Sequence, residues 1–154
     1  MKFMEEQASC DAVLVQVLSA PRPQHRCAHV LEIFSAQYGI GLQMAGANLT
    51  FVHAPSTWGN RPIQPGETAL IFLRAINDKL YECSWNGHFA IEVHDGERFI
   101  VYDFPELWLH KEVPLALRDC ARPHPQSPQV SLVPLDALLE YLRHLQGAKT
   151  AAPR

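Results

Sequence analysis

The sequence predicts a mainly β domain: a small antiparallel barrel or curled sheet with one C-terminal α-helix. Three observations predict it. Short apolar runs rich in β-branched residues recur along the first hundred residues. Asp95-Gly96 lies between two alternating segments and fits the central positions of a type I′ hairpin turn. A single leucine stripe at helical spacing closes the chain.

The first strand is expected over 11–18, where Val13, Val15 and Val17 alternate with Ala12, Leu14 and Gln16, a pattern of burial on both sides. Pro21 and Pro23 then punctuate the chain. A second strand over 27–34 places Cys27, His29, Leu31 and Ile33 on one face, and Ala28, Val30, Glu32 and Phe34 on the other. Gly39, Gly41 and Gly46 mark a loop, and a third strand follows over 48–53. The segment 54–67 is irregular and ends in the Pro65-Gly66 turn. Residues 68–74 are apolar on both faces, as in a central strand. Tyr81, Cys83 and Trp85 share a face in the next strand, opposite Glu82 and Ser84. The hairpin register pairs Val93 with Arg98, Ile91 with Ile100 and Phe89 with Tyr102. Five prolines in 103–130 argue for an irregular segment with a short helix over 114–120. Leu135, Leu138, Leu139, Leu142 and Leu145 stripe a helix over 134–147, ending at Gly147. The organisation is one domain over 1–154, with a β core over 11–102.

The chain has 154 residues and 17.3 kDa, 47% hydrophobic and 19% charged, enough apolar material for one core without metals or disulfides. A net charge of −3 argues against a polyanion-binding surface. The N-terminal MKFMEEQASC carries two glutamates where a signal peptide would be apolar. The expected compartment is the cytoplasm, although an Ala-Ser-Cys ahead of the first strand also suits a chain whose leader has been removed. In a cytosolic protein Cys10, Cys27, Cys83 and Cys120 stay reduced and structural; in an exported one they make two disulfides, with Cys10–Cys120 the first pair to test.

No catalytic signature is present. His25, Cys27 and His29 point one way on a strand but lack a fourth ligand, and there is no CxxC or HExxH, so no metal and no cofactor are expected. Cys83 and His88 are close in sequence, but Cys83 shares its face with Tyr81 and Trp85, as a core residue does. Gly39-Ile40-Gly41 lacks the context of a dinucleotide site. Asp103 and Glu106 are two acids in a loop. The more distinctive residues are loop aromatics with polar neighbours: Trp58, Asn60 and Arg61 in one segment, Phe104 and Trp108 in another. Trp and Arg anchor protein interfaces, whereas a tryptophan folded back would plug the barrel end.

The strand order, from DAVLVQVLSA through VLEIF and LTFVHA to PGETALIFLR and the strand with Tyr81, resembles the OB-fold barrel of netrin-like and metalloproteinase-inhibitor-like domains over residues 11–102. Those domains are exported and disulfide-rich and inhibit through a mature N-terminal cysteine. Here Cys10 follows nine residues, so the inhibitory residues do not carry over. What the resemblance implies is a barrel that binds a protein partner. The expected function is therefore a non-catalytic partner-binding protein, of the inhibitor or toxin-neutralising immunity class, using Trp58, Asn60, Arg61, Phe104 and Trp108. The competing classes are a small enzyme without a recognisable motif and an OB-type nucleic-acid-binding domain.

Overall fold

Strand β1 (Asp11–Arg22) alternates as the valines require: Val13, Val15 and Val17 are buried in the barrel, and Ala12 and Leu14 are buried on the opposite face. The computed structural model describes residues 7–35, 46–53, 61–83, 87–103 and 113–151. Strand β1 turns tightly into β2 (His25–Ile33), which pairs with β3 (Asn48–Val52). Strand β1 outruns its expected end because Pro21 falls where its pairing with β2 shifts register and the chain is exposed, so no ladder bond is lost there.

After the Pro65-Gly66 turn, with Gly66 at φ +91°, comes β4 (Thr68–Ile76), whose Ala69 to Leu73 are all buried. A two-residue turn with Asn77 and Asp78 at positive φ leads into β5 (Lys79–Glu82). Strand β4 also pairs with β1, which closes a five-stranded ring in the order β1-β2-β3-β5-β4. Strands β3 and β5 meet in parallel at Val52 and Tyr81. The ring is thus not wholly antiparallel. That one parallel contact lets a three-stranded meander and a hairpin close on each other, as in an OB-like barrel.

The ring closes within β1–β5. Strands β6 (His88–His94) and β7 (Glu97–Tyr102) extend the sheet outside it. The Asp95-Gly96 turn has both residues at positive φ, and Ile91 faces Ile100 and Val93 faces Arg98, as the pattern predicts. The proline-rich stretch is more regular than expected. A short helix α1 (Leu115–Arg118) is followed by β8 (Arg122–His124) and β9 (Ser127–Pro134). Pro123 is accommodated because β8 is the outermost strand, and Pro128 because it lies near the start of β9.

Helix α2 (Leu135–Ala151) runs past Gly147, since a glycine in an exposed helical position weakens a helix without ending it. Its Leu135, Leu138, Leu139 and Leu142 are buried with Phe72, Phe89, Ile100 and Tyr102. Two apolar cores therefore exist, one inside the ring and one between the extended sheet and α2.

A disulfide joins Cys10 to Cys83, with Cys27 and Cys120 free, which corrects both the all-reduced expectation and the Cys10–Cys120 pairing. The reason is topological. Strand β4 has the start of β1 on one edge and the end of β5 on the other, and Cys83 donates its backbone N–H to Phe72. Cys120 is exposed beyond α1, where its thiol points to the Leu117 carbonyl.

Candidate functional site

Parallel pairing brings the C-terminal ends of β3 and β5 side by side, and β6 starts next to them. His53 follows β3, Glu82 ends β5 and His88 begins β6. Glu82 is buried and takes a short hydrogen bond from each histidine: His53 Nδ1 to Oε2 and His88 Nδ1 to Oε1.

The second nitrogen of each ring reaches the same stretch of backbone. Ile63 N–H donates to His53 Nε2 at 3.2 Å, and His88 Nε2 donates to the Arg61 carbonyl at 3.1 Å. Arg26 completes the set by donating its Nε–H to the Ile63 carbonyl at 2.8 Å. The result is a buried polar clamp that fastens residues 61–63 to the barrel, with the Ile63 side chain sealed in the core.

These bonds assign protons. The His53 Nε2 lone pair is committed to Ile63, so its proton sits on Nδ1 and points at Glu82. Both His88 nitrogens donate, which is the imidazolium pattern. Burial by itself would raise the Glu82 pKa. The His88 charge and the hydrogen bonds from His53 and His88 outweigh it and hold the carboxyl below its ordinary range. Burial likewise works to lower His88, but the Glu82 charge, the Glu82 hydrogen bond and the Arg61 carbonyl raise it. The two shifts agree in describing an ion pair. Gly87 makes room for it: a Cβ there would lie 2.2 Å from Glu82 Cγ and 2.7 Å from the Cys83 carbonyl oxygen.

Beside the clamp, a groove of about 410 Å³ crosses the face of the sheet away from α2. Its floor includes Ala69, Ala90, Val101 and Val130, and its polar wall includes Arg61, Glu67, His88, Glu92, Asp103 and His124. Arg61 is exposed and pairs with Glu67 at 3.2 Å. At the far end Glu92 Oε1 accepts from His124 Nε2 at 2.9 Å and from His94 Nε2 at 3.1 Å. Partial burial would raise Glu92, but the bonds from His124 and then His94 prevail and its pKa is lowered.

Of the residues the sequence singled out, Arg61 lies on this groove, whereas Trp58, Asn60, Phe104 and Trp108 lie outside the described residues. Asp103 is exposed on the groove; Glu106 lies outside the described residues. Cys83 is no partner for His88, because its sulfur is in the disulfide and His88 turns to Glu82. His29 Nδ1 is hydrogen-bonded to Asn48 Oδ1 at 2.9 Å, and His25, Cys27 and His29 do not gather as a ligand cluster among the described residues.

The clamp was missed, although strand alternation carried a signal. Leu49, Phe51 and His53 share one phase and Leu80 and Glu82 another, and both phases point into the barrel. A histidine and a glutamate in core phase need partners. His88, Ala90, Glu92 and His94 also alternate, on the groove face of β6. No protein-family model, no curated protein and no solved structure matches this chain.

Proposed function

We propose that this protein is a non-catalytic binding module that uses the groove to hold a lysine- or arginine-bearing segment of a protein partner. The observation that carries the reading is the position of Arg61 and Asp103 on the same groove. The two aromatic segments of the sequence adjoin the described structure at those residues, 54–60 before Arg61 and 104–112 after Asp103.

Three further features support it. The four ring nitrogens of His53 and His88 are all engaged, which leaves the clamp no free base or acid for catalysis and makes it a rigid footing for the groove wall. Arg61 is offset by Glu67 and His88 by Glu82, so Glu92 and Asp103 leave the groove with an acidic balance over an apolar floor. That balance favours a cationic ligand over a nucleic-acid backbone. The Cys10–Cys83 disulfide favours an oxidising compartment over the cytoplasm. No helix among the described residues is long and apolar enough to cross a membrane.

Titration of the protein with lysine- and arginine-bearing peptides, and in parallel with a single-stranded oligonucleotide, tests the reading. Peptide binding should fall with salt and be lost in Asp103→Lys. Trp58→Ala and Trp108→Ala should each weaken it by tens of fold, the effect of losing an anchor worth about 2 kcal/mol. Oligonucleotide binding that survives in the wild type while no basic peptide binds would overturn the proposal in favour of the nucleic-acid class.

A further inference from the structure

Two clusters in this molecule bring two histidines to one carboxylate: the clamp, and Glu92 with His94 and His124. Proton placement separates them. A metal takes an imidazole through the nitrogen that has no proton, and the other nitrogen then carries it. In the clamp the atom facing the centre is His53 Nδ1. Binding there would move the proton to Nε2, against the buried Ile63 N–H that now donates to it. A buried amide would lose its only acceptor among the described residues, so the clamp is unsuited to an ion.

The second cluster meets no such obstacle. His94 Nδ1 makes no hydrogen bond with a described residue that would oppose a proton there. His124 Nδ1 accepts from Gln126 N–H at 3.1 Å, but that bond is exposed, and water replaces it when the proton arrives. Both Nε2 atoms and Glu92 Oε1 are then free to offer lone pairs, and the three atoms lie within 4.8 Å of one another.

The spacing suits an ion. In a tetrahedral zinc site with bonds of about 2.0–2.1 Å, adjacent donor atoms lie about 3.3 Å apart. The contacts here are 2.9 and 3.1 Å, so an opening of a few tenths of an ångström accommodates a cation. The elements fix the donors. Glu92 and His94 are two residues apart on one face of β6, and His124 comes from the edge strand β8. The His94 ring is held edge-on to both Phe99 and His124, with centroids 5.9 Å away in each case. Glu92 and His124 also front the groove, which leaves the remaining coordination positions open to water or a ligand atom.

We infer that Glu92, His94 and His124 form a binding site for a divalent transition-metal cation of the zinc class at the end of the groove. Imidazole with carboxylate is a donor set for zinc and its neighbours rather than for calcium or magnesium. The donor set stands whether or not a peptide occupies the groove, but a bound dication would cancel the Glu92 charge, so the peptide titration of the partner reading is made on chelator-treated protein.

The test uses chelator-treated full-length protein. Calorimetric titration with zinc chloride should give one ion per chain, and cobalt(II) should give the intense visible absorption of a tetrahedral site with nitrogen and oxygen ligands. His94→Gln and His124→Gln should each abolish both signals; circular dichroism checks that each variant keeps its fold, because both side chains are largely buried. Should either variant fail to fold, paramagnetic shifts of the wild-type histidine ring signals on adding cobalt(II) replace it, with His94 and His124 affected first. No zinc uptake by the wild type, uptake retained in both variants, or cobalt shifts centred on His53 and His88 would each overturn the inference.

Discussion

Replacing Glu82 by glutamine tests the clamp at its centre without changing its shape. The glutamine oxygen still accepts from His53 Nδ1, while its amide donates to His88 Nδ1 once that ring has given up a proton. His88 Nε2 keeps its bond to the Arg61 carbonyl. Every polar atom is then satisfied, and what is lost is the charge on two hydrogen bonds, about 2 kcal/mol. Glu82→Ala instead leaves two buried N–H groups without acceptors and His88 without its counter-charge, a loss of about 3–5 kcal/mol. For a chain of this length about 2 kcal/mol corresponds to a fall of roughly 4–8 °C in melting temperature. The pH dependence sharpens the test. His88 is raised, so its contribution is complete below the ordinary value of 6.5 and is lost as pH climbs through the raised pKa. Glu82 is lowered, so its contribution is complete above 4.5 and is lost as pH falls through the lowered pKa. Urea unfolding of wild type and Glu82→Gln should show the widest gap between those values, closing on the alkaline side as His88 loses its proton. A gap that is the same inside the window and well above it, or a glutamine variant as unstable as the alanine variant, would refute the ion-pair reasoning.

Two further outcomes follow from the same structure. Reducing the Cys10–Cys83 bond, which spans 73 residues, should lower stability by up to about 4 kcal/mol in chemical denaturation, while alkylation of the unreduced protein should label the exposed Cys120. Gly87→Ala should disturb the clamp without replacing any of its members, because the new methyl would press on Glu82 Cγ; a histidine proton spectrum in which the His88 signal keeps its wild-type position and titration would count against this.

How much the chain's own order of residues determined depends on the range of the interaction. The hairpin at Asp95-Gly96, the doubly buried β4 and the leucine stripe of α2 were legible because each is set by neighbours in sequence: turn chemistry, strand alternation and helical spacing. The regular strands in the proline-rich stretch were not, because a proline is tolerated or excluded according to whether its strand lies at an edge. The sequence set Glu82 on the face opposite Tyr81 and Cys83, whereas the structure buries it inside the ring with His53 as its partner. Their contact needs the parallel closure of β3 on β5, a pairing between segments 29 residues apart that brings both strand ends and His88 together. The disulfide also depends on a long-range pairing, since β1 must join β4 before Cys10 and Cys83 flank that strand. Local geometry determined the elements; ring closure decided which polar groups would share a buried charge.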